Sequence, residues 1–212
     1  MSAHPTLHGR RVLLIVTGGI AAVKVPELVR CLRRQGAAVR CVLTRAGAEF
    51  VTPLSLQALS GDKVYGELFS LTDESEMGHI ELSRSADLIV VAPATADILA
   101  KMVGGHADDL ASTLLLATDT DVLVAPAMNV RMWQHAATQA NMATLKDRGV
   151  AVIGPRDGDM ACGEYGPGRM AEPEEIATAI AETLAPDRPL AGRRALVTSG
   201  PTHEPIDPVR YI

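Results

Sequence analysis

Short runs of aliphatic and β-branched residues alternate along the chain with longer stretches in which apolar residues recur at helical spacing. Five runs predict β-strands, at residues 12–16, 39–43, 88–91, 122–124 and 150–153. Several of these runs are apolar at nearly every position, which is typical of parallel strands that are buried on both faces. The pattern therefore indicates a parallel sheet.

Apolar residues between the first two strands follow the period of an α-helix. Within residues 21–35 they stand at i, i+3, i+4 and i+7, beginning with Val25, and Gly36 ends the pattern. Further helices are predicted over residues 96–103, 110–118, 132–148 and 174–184. Strands that alternate with helices predict an α/β fold, a doubly wound parallel sheet of the Rossmann or flavodoxin-like type with right-handed crossovers.

Two segments do not follow the alternating pattern. Residues 1–9 contain no predicted element, and we expect a flexible leader there. Residues 186–192 are polar and contain proline, and a new strand is predicted at residues 194–198, although the sequence ends soon afterwards at Ile212. We therefore expect one domain over residues 10–185, followed over residues 186–212 by a linker and the truncated start of a second domain.

The loops after the predicted strands are rich in small and polar residues, and open α/β sheets bind ligands at this edge. After the first strand, Gly18 and Gly19 let the backbone approach a ligand closely, and the following helix offers unpaired N–H groups to a phosphate. The other loops carry residues such as Thr44, Thr95 and Asn129. This edge predicts a nucleotide-like or flavin-like ligand, although the first loop lacks the G-x-G-x-x-G dinucleotide fingerprint.

The last loop of the predicted domain, residues 154–173, has no predicted structure and contains five glycines. Because such loops are uncommon in compact domains and are often functional, we expect a mobile lid that carries Cys162. A thiol that nothing activates is protonated at neutral pH, so Cys162 is predicted to act as an acid and not as a nucleophile. Cys31 and Cys41, on a predicted helix and a predicted strand, are expected to be inert core thiols.

Composition and charge exclude several classes of protein. With 25 acidic and 20 basic residues the net charge is −5, and only 3% of residues are aromatic, so no nucleic-acid partner is expected. No apolar run approaches the ~20 residues of a membrane span, and the N-terminus lacks a signal-peptide core. Three cysteines without metal-ligand spacing predict neither a metal site nor a disulfide framework, and a cytoplasmic location is expected.

Two further candidates, His79 and Asn129, have structural alternatives when taken alone: a histidine without a role at a helix start, and a helix cap. Their surroundings are more specific. Five stretches occur in one order, namely GGIAA at 18–22, GHIEL at 78–82, APATAD at 92–97, PAMN at 126–129 and ACGEYGPGRM at 161–170. With them the chain resembles the homo-oligomeric flavin-containing cysteine decarboxylases, in particular those of coenzyme A biosynthesis. Val23 departs from the family, since many relatives carry an aromatic residue there.

The resemblance implies FMN as the cofactor and assigns roles by position. His79 matches the catalytic histidine, Asn129 the asparagine that holds the substrate carboxylate or amide, and Cys162 the proton donor. FMN contacts are expected at Gly19, Ile20, Ala21, Thr44, Thr95, Ala96, Asp97 and Ala127. Substrate contacts are expected at Asn129, Met160, Ala161, Cys162, Arg169 and Met170.

The implied reaction converts 4'-phosphopantothenoylcysteine to 4'-phosphopantetheine. The substrate nitrogen is an amide and cannot form a Schiff base, so direct loss of CO2 would leave an unstabilised carbanion. Oxidation of the thiol-bearing carbon by a flavin gives a thioaldehyde, and CO2 then departs from a position β to the C=S group. The resulting enethiolate is protonated and reduced again, and the presence of Cys162 favours this complete redox-neutral cycle.

Residues 197–212 resemble the opening of a phosphopantothenate–cysteine ligase, which uses CTP and magnesium and forms the second half of bifunctional relatives. Nearly all of that domain is missing, so ligase activity is not expected. The family forms trimer-based assemblies, commonly dodecamers, and the position of His79 suggests that it completes a site in a neighbouring subunit. The expected partners are a small-molecule substrate, further copies of the chain and, in cis, the ligase domain, with neither a membrane nor nucleic acid involved.

Three other functions fit the sequence less well. A flavin prenyltransferase of similar fold would have neither the Pro-Ala-Met-Asn stretch nor the Ala-Cys-Gly lid. A catalytically silent relative that regulates phosphatases would typically have lost one of His79, Asn129 and Cys162, all of which are present. A nicotinamide-dependent dehydrogenase is disfavoured by the missing dinucleotide fingerprint.

Overall fold

Six parallel strands form the central sheet in a computed structural model that describes residues 7–66, 77–159 and 163–185. The strands are β1 (Arg11–Val16), β2 (Ala38–Leu43), β3 (Val64–Tyr65), β4 (Leu88–Ala94), β5 (Val122–Pro126), β6 (Ala151–Val152), β7 (Arg156–Asp159) and β8 (Tyr165–Arg169). The helices are α1 (Val25–Arg34), α2 (Pro53–Ser60), α3 (Met77–Arg84), α4 (Ala96–Gly104), α5 (Leu110–Ala117), α6 (Val130–Gln134), α7 (Ala136–Asp147) and α8 (Pro173–Thr183). Strands β1 to β6 form the sheet, and β7 and β8 pair with each other as an antiparallel hairpin.

The strand order is β3-β2-β1-β4-β5-β6, so the direction in which the sheet grows reverses between β1 and β4. β1 lies between two parallel neighbours: its Val12 stands opposite Val39 of β2 and opposite Leu88 of β4. This is a doubly wound, Rossmann-like order, and it confirms the predicted fold class. In such sheets, ligands bind in the crevice outside the carboxyl ends of the strands at the point of reversal.

Side chains of β1 alternate between two hydrophobic cores, one on each face of the sheet. Leu14 and Val16 pack with residues of α1, α2 and α8, whereas Leu13 and Ile15 pack with residues of α4, α5 and α7. All four are at most 1% exposed. Helices on both faces explain why the strands appear in the sequence as continuous apolar runs. Within the described ranges, no helix has the length and apolar character needed to cross a bilayer.

The five strands predicted within residues 10–185 are present, and the strand predicted at residues 194–198 lies outside the described residues. Five further elements, α2, α3, β3, β7 and β8, were not predicted. For α2 the sequence does contain a start signal. Thr52 is its N-cap, with a hydroxyl that accepts a hydrogen bond from the Ser55 N–H (3.1 Å), and Pro53 follows in the first turn. The two-residue strand β3 is too short to show any periodicity.

The single helix predicted over residues 132–148 is in fact two helices, α6 and α7, which are separated at His135. His135 has an extended backbone (φ −63°, ψ 135°), and its ring Nδ1 accepts a hydrogen bond from the Ala137 N–H (3.2 Å). The imidazole therefore caps α7 in the way a serine or asparagine usually does. The apolar spacing of the sequence does not show this break.

The prediction of a structureless lid over residues 154–173 is wrong for the described part of that segment, which forms the β7–β8 hairpin. In the hairpin, Gly158 stands opposite Gly166, and Asp159 stands opposite Tyr165. Gly166 and Gly168 have φ near +150°, a conformation that other residues rarely adopt. With glycine and proline at three of its five positions, β8 lacks the apolar–polar alternation that predicts a strand.

Candidate functional site

The ends of β1 and β4 are joined by a buried hydrogen bond at the point where the sheet reverses. Thr17 follows β1 and is 3% exposed, and its hydroxyl donates to the carbonyl of Pro93 in β4 (2.6 Å). Buried polar groups of this kind are normally paired, and here the pair spans the crevice. The bond therefore fixes the spacing of the two strand ends between which a ligand is expected.

The loop after β1 depends on two glycines. A Cβ atom on Gly18 would lie only 2.5 Å from the Cβ of Ala46, in the loop after β2. Gly19 has φ +147°, and a Cβ there would extend toward the crevice, 4.0 Å from the Cγ2 of Thr95. The glycines therefore let two loops approach each other and leave bare backbone facing the crevice.

Two adjacent cavities, which share part of their walls, open at this edge of the sheet. The β5-side cavity, of about 520 Å³, lies among the loops after β1, β4 and β5 and the hairpin. The β2-side cavity, of about 840 Å³, lies among the loops after β1, β2 and β4. Both contain Gly18, Gly19, Thr95, Ala96 and Met132 in their walls, so one ligand can extend from one cavity into the other. Both volumes fall in the range of small-molecule sites.

The structure brings all eight residues predicted to contact the cofactor to these cavities. Gly19, Thr95 and Ala96 line both cavities, Ile20, Ala21 and Ala127 line the β5-side cavity, and Thr44 and Asp97 line the β2-side cavity. Ile20 is 58% exposed, which is unusual for a large aliphatic residue and gives the β5-side cavity an apolar rim.

Two threonines among these residues also shape their own loops. The Thr44 hydroxyl donates to the carbonyl of Val16 (3.2 Å) and accepts from the Gly47 N–H (3.1 Å). Thr95 is the N-cap of α4, and its hydroxyl accepts from the Ile98 N–H (3.3 Å). Because a hydroxyl offers one donor and two acceptor positions, each threonine retains capacity for a ligand.

Asn129 lies at the start of α6 and lines the β5-side cavity. Its Oδ1 accepts a hydrogen bond from the Arg131 N–H (2.7 Å), and its Nδ2 donates to the carboxylate of Glu164, the residue before β8. Asn129 can therefore cap α6 and contact a ligand at the same time. Its side-chain oxygen accepts the hydrogen bond at the helix start, while its amide nitrogen faces the hairpin. The prediction that Asn129 caps a helix is confirmed, and this role does not exclude ligand binding.

A network of three charged side chains lies at the rim of the β5-side cavity. The Lys24 ammonium is 2.9 Å from both carboxylate oxygens of Glu172, and the Arg169 guanidinium is 2.8 Å from one of them. The hydrogen bond from Lys24 is the main reason why the pKa of Glu172 lies below its usual value. Lys24 and Arg169 also line the cavity, so both cations border the space where a ligand would lie.

Asp97, on the wall of the β2-side cavity, belongs to a different cluster. It is 3.7 Å from Lys101, which is also 3.0 Å from Asp108 and 3.1 Å from Asp109. The hydrogen bond to Asp108 is the largest of the causes that raise the pKa of Lys101. This lysine therefore stays charged and holds the start of α5 against α4, and the Asp97 side chain remains 77% exposed.

Not every predicted site residue reaches the cavities. Met170 is 1% exposed and packs in the core beside α8, so the structure gives it a packing position in place of the predicted substrate contact. His79 lies in α3, but its side chain is outside the described part of the chain. Met160, Ala161 and Cys162 lie outside the described residues altogether.

Sequence reasoning also misses residues that the cavities contain. Lys24 lies in a predicted helix, where its position gives no hint of a ligand. Met132 looks like core filler in the sequence, yet it is 49% exposed and lines both cavities. Glu164 contacts Asn129, and its place two residues after Cys162 in the ACGEYGPGRM stretch is the one signal that could have identified it.

Together the cavity walls offer bare backbone, small apolar side chains, hydroxyls and the amide of Asn129. They also contain four cationic side chains (Lys24, Arg45, Lys101 and Arg169) and four carboxylates (Glu49, Asp97, Asp109 and Asp159). Such a set suits a flat ring with polar substituents beside an anionic group. Among the described residues in these walls there is no histidine and no cysteine.

Family models account for most of the chain. One described as "Flavoprotein" matches residues 2–185, and one described as "DNA/pantothenate metabolism flavoprotein C-terminal domain" matches residues 190–212. The coenzyme A biosynthesis bifunctional proteins CoaBC of Vibrio vulnificus (strain YJ016) and Escherichia coli (strain K12) are 51% and 50% identical over 207 residues. These matches cover 98% of this chain and 51% of each relative, so the chain spans about half the length of the curated relatives it matches.

Solved structures agree with this assignment. A cysteine-to-serine mutant of PPC decarboxylase complexed with pantothenoylaminoethenethiol superposes with a TM-score of 0.74 at 35% identity, over 82% of this chain and 97% of that chain. The FMN binding protein AtHal3 superposes with a TM-score of 0.72, also at 35% identity, over 82% and 96%. The Flavoprotein model spans most of the chain, and the two solved structures are matched over 97% and 96% of their length. The chain therefore belongs to the flavoprotein family that includes PPC decarboxylase.

Proposed function

We propose that this chain binds FMN across the two cavities and decarboxylates 4'-phosphopantothenoylcysteine to 4'-phosphopantetheine in coenzyme A biosynthesis. The family and the FMN-binding and PPC decarboxylase relatives support this proposal. One structural observation carries it: Asn129, the residue expected to hold the substrate, lines the same cavity as Gly19 and Ala21, which are expected to hold the cofactor. Flavin chemistry on a substrate needs both in one place.

The residues present fit a flavin mononucleotide. The bare backbone at Gly19 leaves open the part of the crevice that a Cβ would enter. The Thr95 hydroxyl can donate to a phosphate or ribityl oxygen, and the Thr44 hydroxyl, which donates to Val16, can accept from a ribityl hydroxyl. The small side chains of Ala96 and Ala127 leave room for a flat ring. Aromatic residues are not required for such a site, which agrees with their scarcity in the sequence.

The chemistry that a bound FMN supplies is reversible hydride transfer with the thiol-bearing carbon of the substrate. In this proposal Asn129 orients the substrate through its amide N–H groups, and Lys24 and Arg169 attract an anionic molecule to the cavity. His79 acts as the base or electrostatic partner during oxidation and CO2 loss, and Cys162 returns a proton to the enethiolate. The roles of His79 and Cys162 come from the family resemblance.

We also propose that residues 10–185 are the decarboxylase unit and that residues 186–212 are a linker and the first part of a ligase domain that uses CTP and magnesium. The match of residues 190–212 to a C-terminal domain model and the greater length of the CoaBC relatives support this division. A cytoplasmic location and a trimer-based assembly, commonly a dodecamer, complete the proposal.

Cofactor and product analysis test the central claim. The purified protein should be yellow, release FMN on denaturation, and form one CO2 and one 4'-phosphopantetheine for each 4'-phosphopantothenoylcysteine consumed. A colourless protein that takes up no added FMN would contradict the proposed cofactor. A protein that binds FMN yet releases no CO2 would contradict the proposed reaction alone.

Subunit mixing tests whether His79 completes a neighbouring site. The His79→Asn and Cys162→Ser variants should each be inactive, whereas oligomers reassembled from both should regain part of the activity. Each variant dissociated and reassembled alone serves as the control. If the mixed oligomer stays inactive although both chains are present in it, the shared-site idea is wrong.

A further inference from the structure

Glu164 connects the hairpin to the start of α6. One of its carboxylate oxygens accepts a hydrogen bond from Nδ2 of Asn129, and the other lies 3.7 Å from Nε of Arg131. The contact is made at the edge of the β5-side cavity, because Asn129 lines that cavity and Glu164 immediately precedes β8. A carboxylate of the protein therefore lies on the amide that is expected to hold a carboxylate or amide of the substrate.

The orientation of this amide is fixed from its other side. Oδ1 of Asn129 accepts the Arg131 N–H (2.7 Å), so the nitrogen of the amide is the atom that faces Glu164. An amide nitrogen only donates hydrogen bonds, through two N–H groups, and its acceptors include carboxylates and carbonyls. The proposed substrate has such groups, and the decarboxylated product lacks the carboxylate. Two carboxylates on the same nitrogen would repel each other, so a substrate carboxylate competes with Glu164.

We propose that Glu164 is a specificity-determining residue, which limits the affinity for carboxylated ligands by competing for the amide of Asn129. This inference rests on the proposed function. The substrate carboxylate replaces Glu164 on Nδ2 as it binds, and once CO2 has left, Glu164 returns to the amide. One carboxylate replaces another, so no proton or electron moves in the exchange.

Two contacts make this exchange possible without disturbing the hairpin. The Met128 N–H donates to the carbonyl of Gly168 (3.0 Å), which holds β8 on the loop after β5 independently of Glu164. Arg131 is 82% exposed and lies close to Glu164, so the displaced carboxylate retains a cationic partner. Both contacts lower the cost of releasing Asn129 to a substrate.

A pair of unreactive ligands measures the effect in the FMN-loaded protein. The first ligand is 4'-phosphopantothenoylserine, in which a hydroxyl replaces the thiol, and the second is its decarboxylated counterpart, 4'-phosphopantothenoylethanolamine. By calorimetry, Glu164→Ala should bind the first about 5- to 30-fold more tightly than the natural protein does, because a hydrogen bond to a charged group no longer has to be broken. Binding of the second should change by less than about twofold.

Two further variants test whether the change in affinity is specific to the carboxylate of Glu164. Glu164→Gln keeps an acceptor oxygen but loses the charge, so it should tighten the serine ligand in the same direction by a smaller factor, and it decides the question if Glu164→Ala does not fold. Asp157→Asn removes the same charge from an exposed position on β7 and should leave the ratio of the two affinities unchanged.

The inference is overturned if Glu164→Ala leaves the serine ligand unchanged, tightens both ligands equally, or is matched by Asp157→Asn. The proposed function has its own readout, since the natural protein must bind FMN and release CO2 from 4'-phosphopantothenoylcysteine. If the natural protein does neither, both proposals fail. If it does both and the affinity ratio stays constant in the Glu164 variants, only the role of Glu164 is wrong.

Discussion

Cys41 illustrates how burial alters a single side chain in this protein. It is fully buried in β2, and burial, aided by the charge of Asp62, raises the pKa of its thiol to about 12. Cys31 is 5% exposed in α1, and burial likewise raises the pKa of its thiol. Both thiols are thus protonated and shielded at neutral pH, which agrees with the inert core role expected from the sequence.

A Cys162→Ser variant should therefore contain no rapidly reacting thiol. With a chromogenic disulfide reagent at mildly alkaline pH, the folded variant should give no fast phase, and both remaining thiols should react after denaturant is added. A fast reaction of one thiol per chain in the folded variant would show that Cys31 or Cys41 is accessible.

Two substitutions separate the helix-capping role of Asn129 from its proposed role in substrate binding. Serine is as good an N-cap as asparagine but has no amide, so Asn129→Ser should retain the unfolding free energy within about 0.5 kcal/mol and lose roughly 10- to 100-fold in kcat/KM. Asn129→Ala should lose similar activity and about 1 kcal/mol of stability as well. Denaturant unfolding and steady-state assays separate the effects, and full activity in the serine variant would remove Asn129 from the site.

Among the secondary-structure elements, the sequence predicts most reliably those whose apolar residues follow a regular spacing. β1, β4 and β5 are buried along nearly their whole length, so their continuous apolar runs predict them directly, whereas β2 is predicted although its Arg40 is exposed. The break between α6 and α7 depends on one imidazole cap, and β8 depends on glycine conformations, neither of which produces a periodic signal.

In the candidate site, too, some features could be predicted from the sequence and others could not. Gly19, Thr95 and Asn129 follow strands and therefore had to meet at one edge of the sheet. The contact between Glu164 and Asn129 could not be predicted, because it depends on how the hairpin packs against α6. The cofactor and the reaction of the proposed function, in contrast, were suggested by the family resemblance of short ordered motifs.

The close approach of the first two loops yields a prediction about Gly18. A Gly18→Ala substitution would place a Cβ against the Cβ of Ala46, so the loops must move apart, and FMN affinity should fall at least about tenfold. Removing the opposing methyl group in the Gly18→Ala/Ala46→Gly double variant should recover part of this loss. Fluorescence titration of the apoprotein measures both, and unaltered affinity in the single variant would show that the loop tolerates the methyl group.

In the molecule as a whole, the two edges of the sheet have different roles. The carboxyl edge carries the cavities, and near the amino edge Arg11 and Asp87 tie the start of β1 to the residue before β4. The Asp87 carboxylate accepts from the Arg11 N–H (2.7 Å) and from its guanidinium (2.8 Å). The guanidinium hydrogen bond is the main reason why the pKa of Asp87 lies below its usual value.

This pair should contribute to the loss of stability in acid. Because the pKa of Asp87 is lower in the folded state, its contribution is present above the unfolded pKa of about 4 and is lost as the pH falls through the folded value. An Asp87→Asn variant lacks this contribution, so its melting temperature should be lower by about 1–3 °C near neutral pH and should approach that of the natural protein below about pH 3. A difference in melting temperature that stays constant from neutral pH to pH 3 would contradict this assignment.

The hairpin of β7 and β8 has a consequence for how such a protein can diversify. It forms a separate two-stranded sheet, so its backbone pairing does not depend on the register of the six-stranded sheet. Its base is held by the contacts of Arg169 and Gly168, while Glu164 contacts Asn129 in the wall of the β5-side cavity. Under the proposed function, insertions or exchanges in the hairpin can therefore alter which substrate is accepted while the loops expected to hold the cofactor are inherited unchanged. The hairpin is then a separate unit on which selection for new substrates can act.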